Sequence, residues 1–565
     1  MNRRNFLATV GIGAAAGAAV AQDVAQRIES PALHPALRYV NPKTAAHPFT
    51  ANPPARRPHV FVITLDMVSP EHYHPSRKLS GAVNLPAIHA LKSDGVFFSN
   101  AFCTAPLCAP ARASLATGRY SYITANGERA HDGHETILRS SDVIFQEYLK
   151  ATGYTTRHAG KGHLGTQKYM DAFGENDNAW DRWAPPIYDD ELYLAYLHRL
   201  GVKQQRYKRE LHTVQQDRKT PGFSLGGWIE QSDGQPFPME AQYTHYLVDR
   251  AIEKVDAALA DSAGAPIYLQ LDIFDPHQPF SIPSGLEKRE EILRKEVGLP
   301  QSYEAVRKNN WQPFESEPKV YDFYRRNWGL YDPEMVRNYR VADALQMEVV
   351  DLALTKFFRA LKTRNLYDDS VVILTSDHGE MNGHRAMIDK GVFLYPDVLR
   401  VPLIIKMPGI APGQVDEPVS HLDIAPTLLG IAGVEPMERL DGRSLMPYLQ
   451  RRVENPDRDL LFECGWHTGV NFACATQRWT RGGEHYLYSY NCSDRYDELY
   501  YLHSDDAENL AAREDFKKVH REMTARLGSL LEKDPRWRGY YSSFSVDHYW
   551  DLPKPKGDVQ MFRPV

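Results

Sequence analysis

Residues Cys108-Ala109-Pro110-Ala111-Arg112 set a thiol and a guanidinium one helical turn apart. Pro110 suits the first residue of a helix, where its missing N–H would have no partner anyway. Ala111, Ala113, Leu115 and Ala116 can continue that helix, and Gly118 can end it in a left-handed cap. Cys108 then lies at the positive end of a helix dipole, beside free backbone N–H groups, with Arg112 on the same face. Such a place suits an anion, with a nucleophile precursor at its floor.

A second group of residues could hold a cation or move protons. Asp66 closes the apolar run from His59, Asp377-His378 follow the run Ser370 to Ser376, and Asp275-Pro276-His277 follow Ile267 to Phe274. Two carboxylates and an imidazole beside position 108 form a divalent-metal set, in which hard oxygens favour Ca²⁺ or Mg²⁺ and one His admits Mn²⁺. Lys161 and His163 lie two apart, so an extended segment points both to one side. Taken singly, each of these residues is also an ordinary turn acid, loop histidine or surface lysine.

Their shared position makes them a group. Nearly continuous apolar runs of this length are expected as central parallel strands, and Pro402 to Met407 reads as a further strand of unassigned direction. In open α/β sheets ligands bind beyond the carboxyl ends of strands, where all three runs deliver Asp or His. Periodic helices are expected over Val248 to Leu259 and along Val341, Leu345, Val349 and Leu352. Strands alternating with helices predict an α/β fold, a large mixed, mainly parallel sheet flanked by helices. The aromatic, charged segments 169–245 and 282–333 break the alternation and read as insertions over the site. Beyond about Arg451, short strand-like runs and a helix over Ala507 to Glu532 predict a smaller C-terminal α+β subdomain. The expected division is 58–450 for the catalytic α/β domain and 451–565 for the subdomain and tail.

The chain has 565 residues, a net charge of -6 and no long basic run, which argues against a nucleic-acid partner. Residues 1–21 read as a twin-arginine export signal: Arg3-Arg4, a mild Gly/Ala stretch, and Ala19-Val20-Ala21 before the cut. Residues 22–57, rich in Pro and Ala, read as an extended arm. No segment approaches the ~18–20 apolar residues of a membrane span, so no stable membrane anchor is expected. Of five cysteines, four would remain if Cys108 were consumed, and their pairing stays open.

The Cys108 run, with Thr117-Gly118-Arg119 after it, resembles the type I sulfatases, the formylglycine-dependent branch of the alkaline phosphatase superfamily. Gly160-Lys161-Gly162-His163-Leu164-Gly165, Pro276-His277, Asp377-His378-Gly379-Glu380 and Lys390 match further segments of that family in order. So do Val419 to Leu429, Asp441 to Leu445 and Glu498 to Leu510. The resemblance implies that Cys108 is oxidised to formylglycine by a formylglycine-generating enzyme. It implies that the hydrated aldehyde binds the metal and attacks sulfur, in a sulfated small molecule or saccharide. Arg112, Lys161 and Lys390 would then face the sulfuryl oxygens, His277 would protonate the leaving alcohol and His163 would accept a proton afterwards. Asp66, Asp377, His378 and position 108 would hold the cation, Ca²⁺ first, with Mn²⁺ or Mg²⁺ as alternatives. One departure stands out: Met67 occupies the place where many relatives carry a second acid or amide. Export by the twin-arginine machinery, which carries folded proteins, implies maturation before transport and a periplasmic or secreted product. Two rival readings remain: a phosphonate or phosphodiester hydrolase of the same superfamily, and a non-catalytic polyanion-binding protein.

Overall fold

The computed structural model describes residues 49–537 apart from 52–56, 122–137, 139–141, 165–166, 175–178, 262–263, 437–438, 454–457, 466–471, 480–482, 493–494 and 505–507. The expected export signal, most of the expected arm, Asn126 (which reads as a simple turn, although some relatives carry a substrate-side Asn there) and the tail after Trp537 lie outside the described residues.

The three apolar runs lie side by side. In chain order the main sheet contains β1 (His59–Asp66), β2 (Val96–Phe98), β3 (Thr155–Lys161), β4 (Ala179–Trp180), β5 (Ile267–Pro276), β6 (Ser370–Ser376), β7 (Leu403–Lys406) and β8 (Gly413–Val415). Their spatial order is β8-β2-β7-β6-β1-β5-β3-β4. The block from β6 to β4 is parallel throughout, β8 is parallel to β2, and β7 runs antiparallel to both its neighbours. Trp180, inside a segment expected to be an insertion from residue 169, is therefore part of an edge strand of this sheet.

Side chains alternate between two cores, as the period of two requires. Phe61, Ile63, Leu65, Leu269, Leu271 and Ile273 face the helices α1 (Pro86–Asp94), α3 (Tyr243–Asp261) and α4 (Pro333–Thr363). Val60, Val62, Tyr268, Val371 and Ile373 face the opposite layer, which includes α2 (Cys108–Thr117) and the helix Ile424–Ala432. Each fully buried Val, Ile or Phe here contributes about 1.5–3 kcal/mol of transfer free energy. The expected stripe on α4 is corrected at one end: Val341, Leu345 and Val349 are buried, whereas Leu352 faces solvent.

The segment after Trp180 forms the helix Glu191–Leu200 and the hairpin Gln205–Val214 with Pro221–Gln231, which pairs with Phe280–Ile282. Residues 287–328 add three helices, the last being Lys319–Trp328, whose Tyr324 hydroxyl accepts the Val392 N–H at 3.0 Å. The C-terminal region is a four-stranded antiparallel sheet, Arg458–Gly465 to Tyr496–Tyr501, with the helix Lys517–Lys533. That helix begins ten residues later than the sequence pattern predicts.

Candidate active site

The carboxyl ends of β1, β5 and β6, the start of α2 and the turn after β3 converge. Cys108 is the first residue of α2, with Leu107 as its cap, so Pro110 is the third helical residue rather than the first. The correction is harmless, because the first four N–H groups of a helix lack intrahelical partners and proline fits any of these places. Gly118 ends the helix with φ 66°, the left-handed conformation expected of it.

The Cys108 thiol is buried among charged groups. Its Sγ lies 3.2 Å from His378 Nε2 and 3.6 Å from Asp66 Oδ1. Donor atoms of Asp66, Cys108, Asp377 and His378 all lie within 4.8 Å of one another. His378 Nδ1 is 2.9 Å from the Gly379 carbonyl oxygen and donates to it, which leaves the Nε2 lone pair facing Cys108. Two carboxylates, an imidazole nitrogen and position 108 thus fit a divalent cation by donor chemistry and by tautomer. Asp377 Oδ1 accepts the N–H groups of His378 and Met67, at 2.9 and 3.1 Å. Met67 has φ 58°, and its sulfur lies 3.9 Å from Lys390 Nζ. The place of a second acid is thereby filled by an apolar side chain beneath the lysine.

The cations divide into two sets. Lys161 pairs with Asp66 Oδ2. Arg112 Nε donates to Asp377 Oδ2 at 2.9 Å, Nη1 to the Lys161 carbonyl at 2.9 Å, and Nη2 lies 3.5 Å from Asp66 Oδ2. Each guanidinium nitrogen therefore meets a protein oxygen, and Arg112 ties the two acids together. Lys390 Nζ lies 3.0 Å from Asp389 Oδ1 and 2.6 Å from His277 Nε2. The His277 ring donates through Nδ1 to the Gln278 carbonyl, so Nε2 accepts from the ammonium.

Burial opposes charge on Cys108, yet Lys161, Lys390 and His378 together pull its thiol well below the ordinary range. Burial likewise opposes charge on Lys390, but Asp389 and the Cys108 and Asp66 groups hold the ammonium above its usual value. His163 is pushed down, first by burial and then by Lys161, while its hydrogen bond with Cys108 works the other way. The extended geometry expected for Lys161 and His163 ends at Lys161: His163 has φ 52°, and a turn brings its ring to Cys108.

Asp66, Arg112, Lys161, His163, Asp377 and His378 thus gather at Cys108 with Lys390, which brings in His277. Sequence reasoning missed Asp389 and Gln278, whose amide donates to Asp389 Oδ2 at 3.0 Å, and the Trp183 ring, 6.1 Å from His277. It also missed the buried pair His158 and Asp272 behind Arg112. The alternation of Gln270 and Asp272 within an apolar strand was the signal available for that pair.

The model of the Sulfatase family matches residues 58–434, and that of the N-sulphoglucosamine sulphohydrolase C-terminal region matches 383–533. The chain belongs to the sulfatase family. As a sulfatase it is an enzyme that hydrolyses sulfuric esters. It is 28% identical to the uncharacterized sulfatase YidJ of Escherichia coli, over 66% of this chain and 67% of that protein. Similarity to the arylsulfatase K of Bos taurus is 26% identity, covering 80% and 78% of the two chains. Among solved structures, the phosphonate monoester hydrolase of Silicibacter pomeroyi shares the fold of this sulfatase. Its TM-score is 0.63 at 20% identity, with 88% and 97% of the two chains covered.

Proposed function

We propose that the sulfatase cleaves a sulfate monoester of a small molecule or saccharide using formylglycine made from Cys108. The convergence of Lys161, Lys390, His163 and His378 on the Cys108 sulfur carries this reading. Formylglycine, as its hydrate, would supply the oxygen that attacks sulfur. A divalent cation held by Asp66, Asp377, His378 and position 108 would supply positive charge at the sulfuryl oxygens, with Ca²⁺ the first expectation and Mn²⁺ or Mg²⁺ alternatives.

The chain's own residues do the rest. Lys161 and Lys390 offset charge on the sulfuryl oxygens, and Arg112 fixes Asp66 and Asp377 from behind. The leaving oxygen takes its proton from the His277–Lys390 pair, in which the ammonium already donates to Nε2. His163, bonded to position 108, accepts a proton there when sulfate departs. Trp183 beside His277 offers an aromatic wall suited to a ring-bearing alcohol. Residues 1–21 direct the matured, folded protein through the twin-arginine machinery to the periplasm or medium, after a formylglycine-generating enzyme has acted.

Side-by-side turnover of an aryl sulfate, a phosphodiester and a phosphonate ester tests the reading, with mass spectrometry of the Cys108 peptide. Sulfate turnover is expected to be fastest, with the peptide having lost H₂S and gained O. Free thiol in fully active protein refutes formylglycine chemistry. Faster phosphodiester or phosphonate turnover assigns the site to the rival hydrolase. No turnover of any ester in oxidised, metal-loaded protein leaves the polyanion-binding reading.

A further inference from the structure

A buried charged pair that the mechanism leaves unused lies against Arg112. Asp272 stands on β5 among apolar neighbours and is 2% exposed; His158, on the adjoining β3, is fully buried. His158 Nε2 lies 2.8 Å from Asp272 Oδ2, Gln270 Nε2 donates to Asp272 Oδ1 at 2.7 Å, and Arg112 Nη1 is 3.5 Å from the same Oδ1. The imidazole is walled by Phe173, stacked at 4.9 Å, and by Tyr169 edge-on at 5.5 Å. The two strands can approach because Gly160 has φ 107° and no side chain: a Cβ there would lie 1.9 Å from the Asp272 carbonyl oxygen.

We propose that Asp272 and His158 are positioning residues for the sulfatase reaction, acting through Arg112. The inference rests on the site reading above, in which Arg112 holds Asp66 and Asp377. A carboxylate inside a sheet costs several kcal/mol to desolvate, and well-packed apolar side chains would serve the core as well or better. Its partners account for its presence. His158 donates to one oxygen and fixes the plane of the carboxylate. The other oxygen faces the Arg112 nitrogen that also donates to the Lys161 carbonyl. That contact sets the roll of the guanidinium, hence the directions from which Nε and Nη2 reach Asp377 and Asp66. Asp272 also stands behind the strand end that delivers Lys161, paired in register with Gly160. The arrangement parallels a metal site's outer partners, which orient its ligands without touching substrate.

The test is a double-mutant cycle in the full, matured chain, with rates normalised to formylglycine content from peptide mass spectrometry. Asp272→Asn keeps the shape and removes the charge. It is expected to lower kcat about 10- to 100-fold with little change in KM. In an Arg112→Lys background the same change is expected to alter kcat less than about twofold, since the residue it acts through is already gone. Equal effects in both backgrounds, or an Asp272→Asn enzyme within about twofold of the parent, overturn the proposal. Should Asp272→Asn fail to fold, His158→Gln and His158→Ala decide the matter. The donor-bearing Gln is expected to keep the higher kcat, and equal losses count against positioning. An Arg112→Lys enzyme as active as the parent would instead overturn the reading of the site itself.

Discussion

Lys161 and Arg112 differ in what they can do for Asp66. The ammonium is a point charge at the carboxylate, whereas the guanidinium is spread over Asp377, Asp66 and the Lys161 carbonyl. Lys161→Ala is therefore expected to lower kcat about 10²- to 10³-fold in steady-state sulfate release. Oxidation of Cys108, read by peptide mass spectrometry, should be unaffected. Lys161→Arg should not restore the rate, because a planar fork cannot occupy the space of an ammonium above the Phe274 ring. Lys390 has a different task, since it is tied to His277 and Asp389 and rests on Met67.

Elements are held in place by buried acids at their junctions. Asp351 on α4 accepts the N–H groups of Ala87 and Ile88 at 3.0 and 2.9 Å, capping the helix Pro86–Asp94 from a neighbouring helix. Asp351→Ala should cost about 1–2 kcal/mol of unfolding free energy in urea titrations. A second junction joins the helix Lys319–Trp328 to the C-terminal sheet. There Glu498 meets the hydroxyls of Tyr321 and Tyr500, and the Arg385 guanidinium lies 5.5 Å from the centre of the Tyr500 ring. Burial pushes Glu498 up to about 7, with Arg385 and the two phenols acting in the opposite direction. The folded protein then binds a proton that the unfolded chain has released above the ordinary glutamate value of 4.5. Stability from this group is full below about 4.5 and is lost as pH rises toward 7, by roughly 3 kcal/mol. Glu498→Gln should remove that slope, so urea unfolding at pH 5 and pH 8 should show the variant gaining on the parent at pH 8. Equal slopes would contradict the assignment.

At the level of the whole molecule, the proposed cation and the proposed export route make separate predictions. Binding to the folded form alone stabilises by about 2.7 kcal/mol at a hundred times Kd. Chelation with EGTA or EDTA should lower the thermal midpoint by a few degrees, and readdition of Ca²⁺, Mn²⁺ or Mg²⁺ should rank the ions by recovery. Protein recovered from the periplasm or medium should begin at Gln22, and Arg3→Lys with Arg4→Lys should hold it in the cytoplasm. No helix among the described residues is long and apolar enough to cross a membrane.

The central strands and the residues at their ends could be read from the amino-acid pattern. Runs such as Ser370–Ser376 have one stable place, a strand covered on both faces, and the next residues of the chain must emerge at its carboxyl end. Asp66, His277 and Asp377 were legible for that reason, Cys108 by the helix start that Pro110 and Arg112 mark, and their order along the chain marked the family. What each side chain bonds to depends on packing between distant segments. Arg112 spans two acids, His163 left the extended line by a left-handed turn, and Lys390 was joined to His277 from 113 residues away. The pairing of His158 with Asp272 and the approach of Trp183 to His277 likewise came only with the fold. A period of two records which face a residue takes, but not which distant strand or loop will stand opposite it.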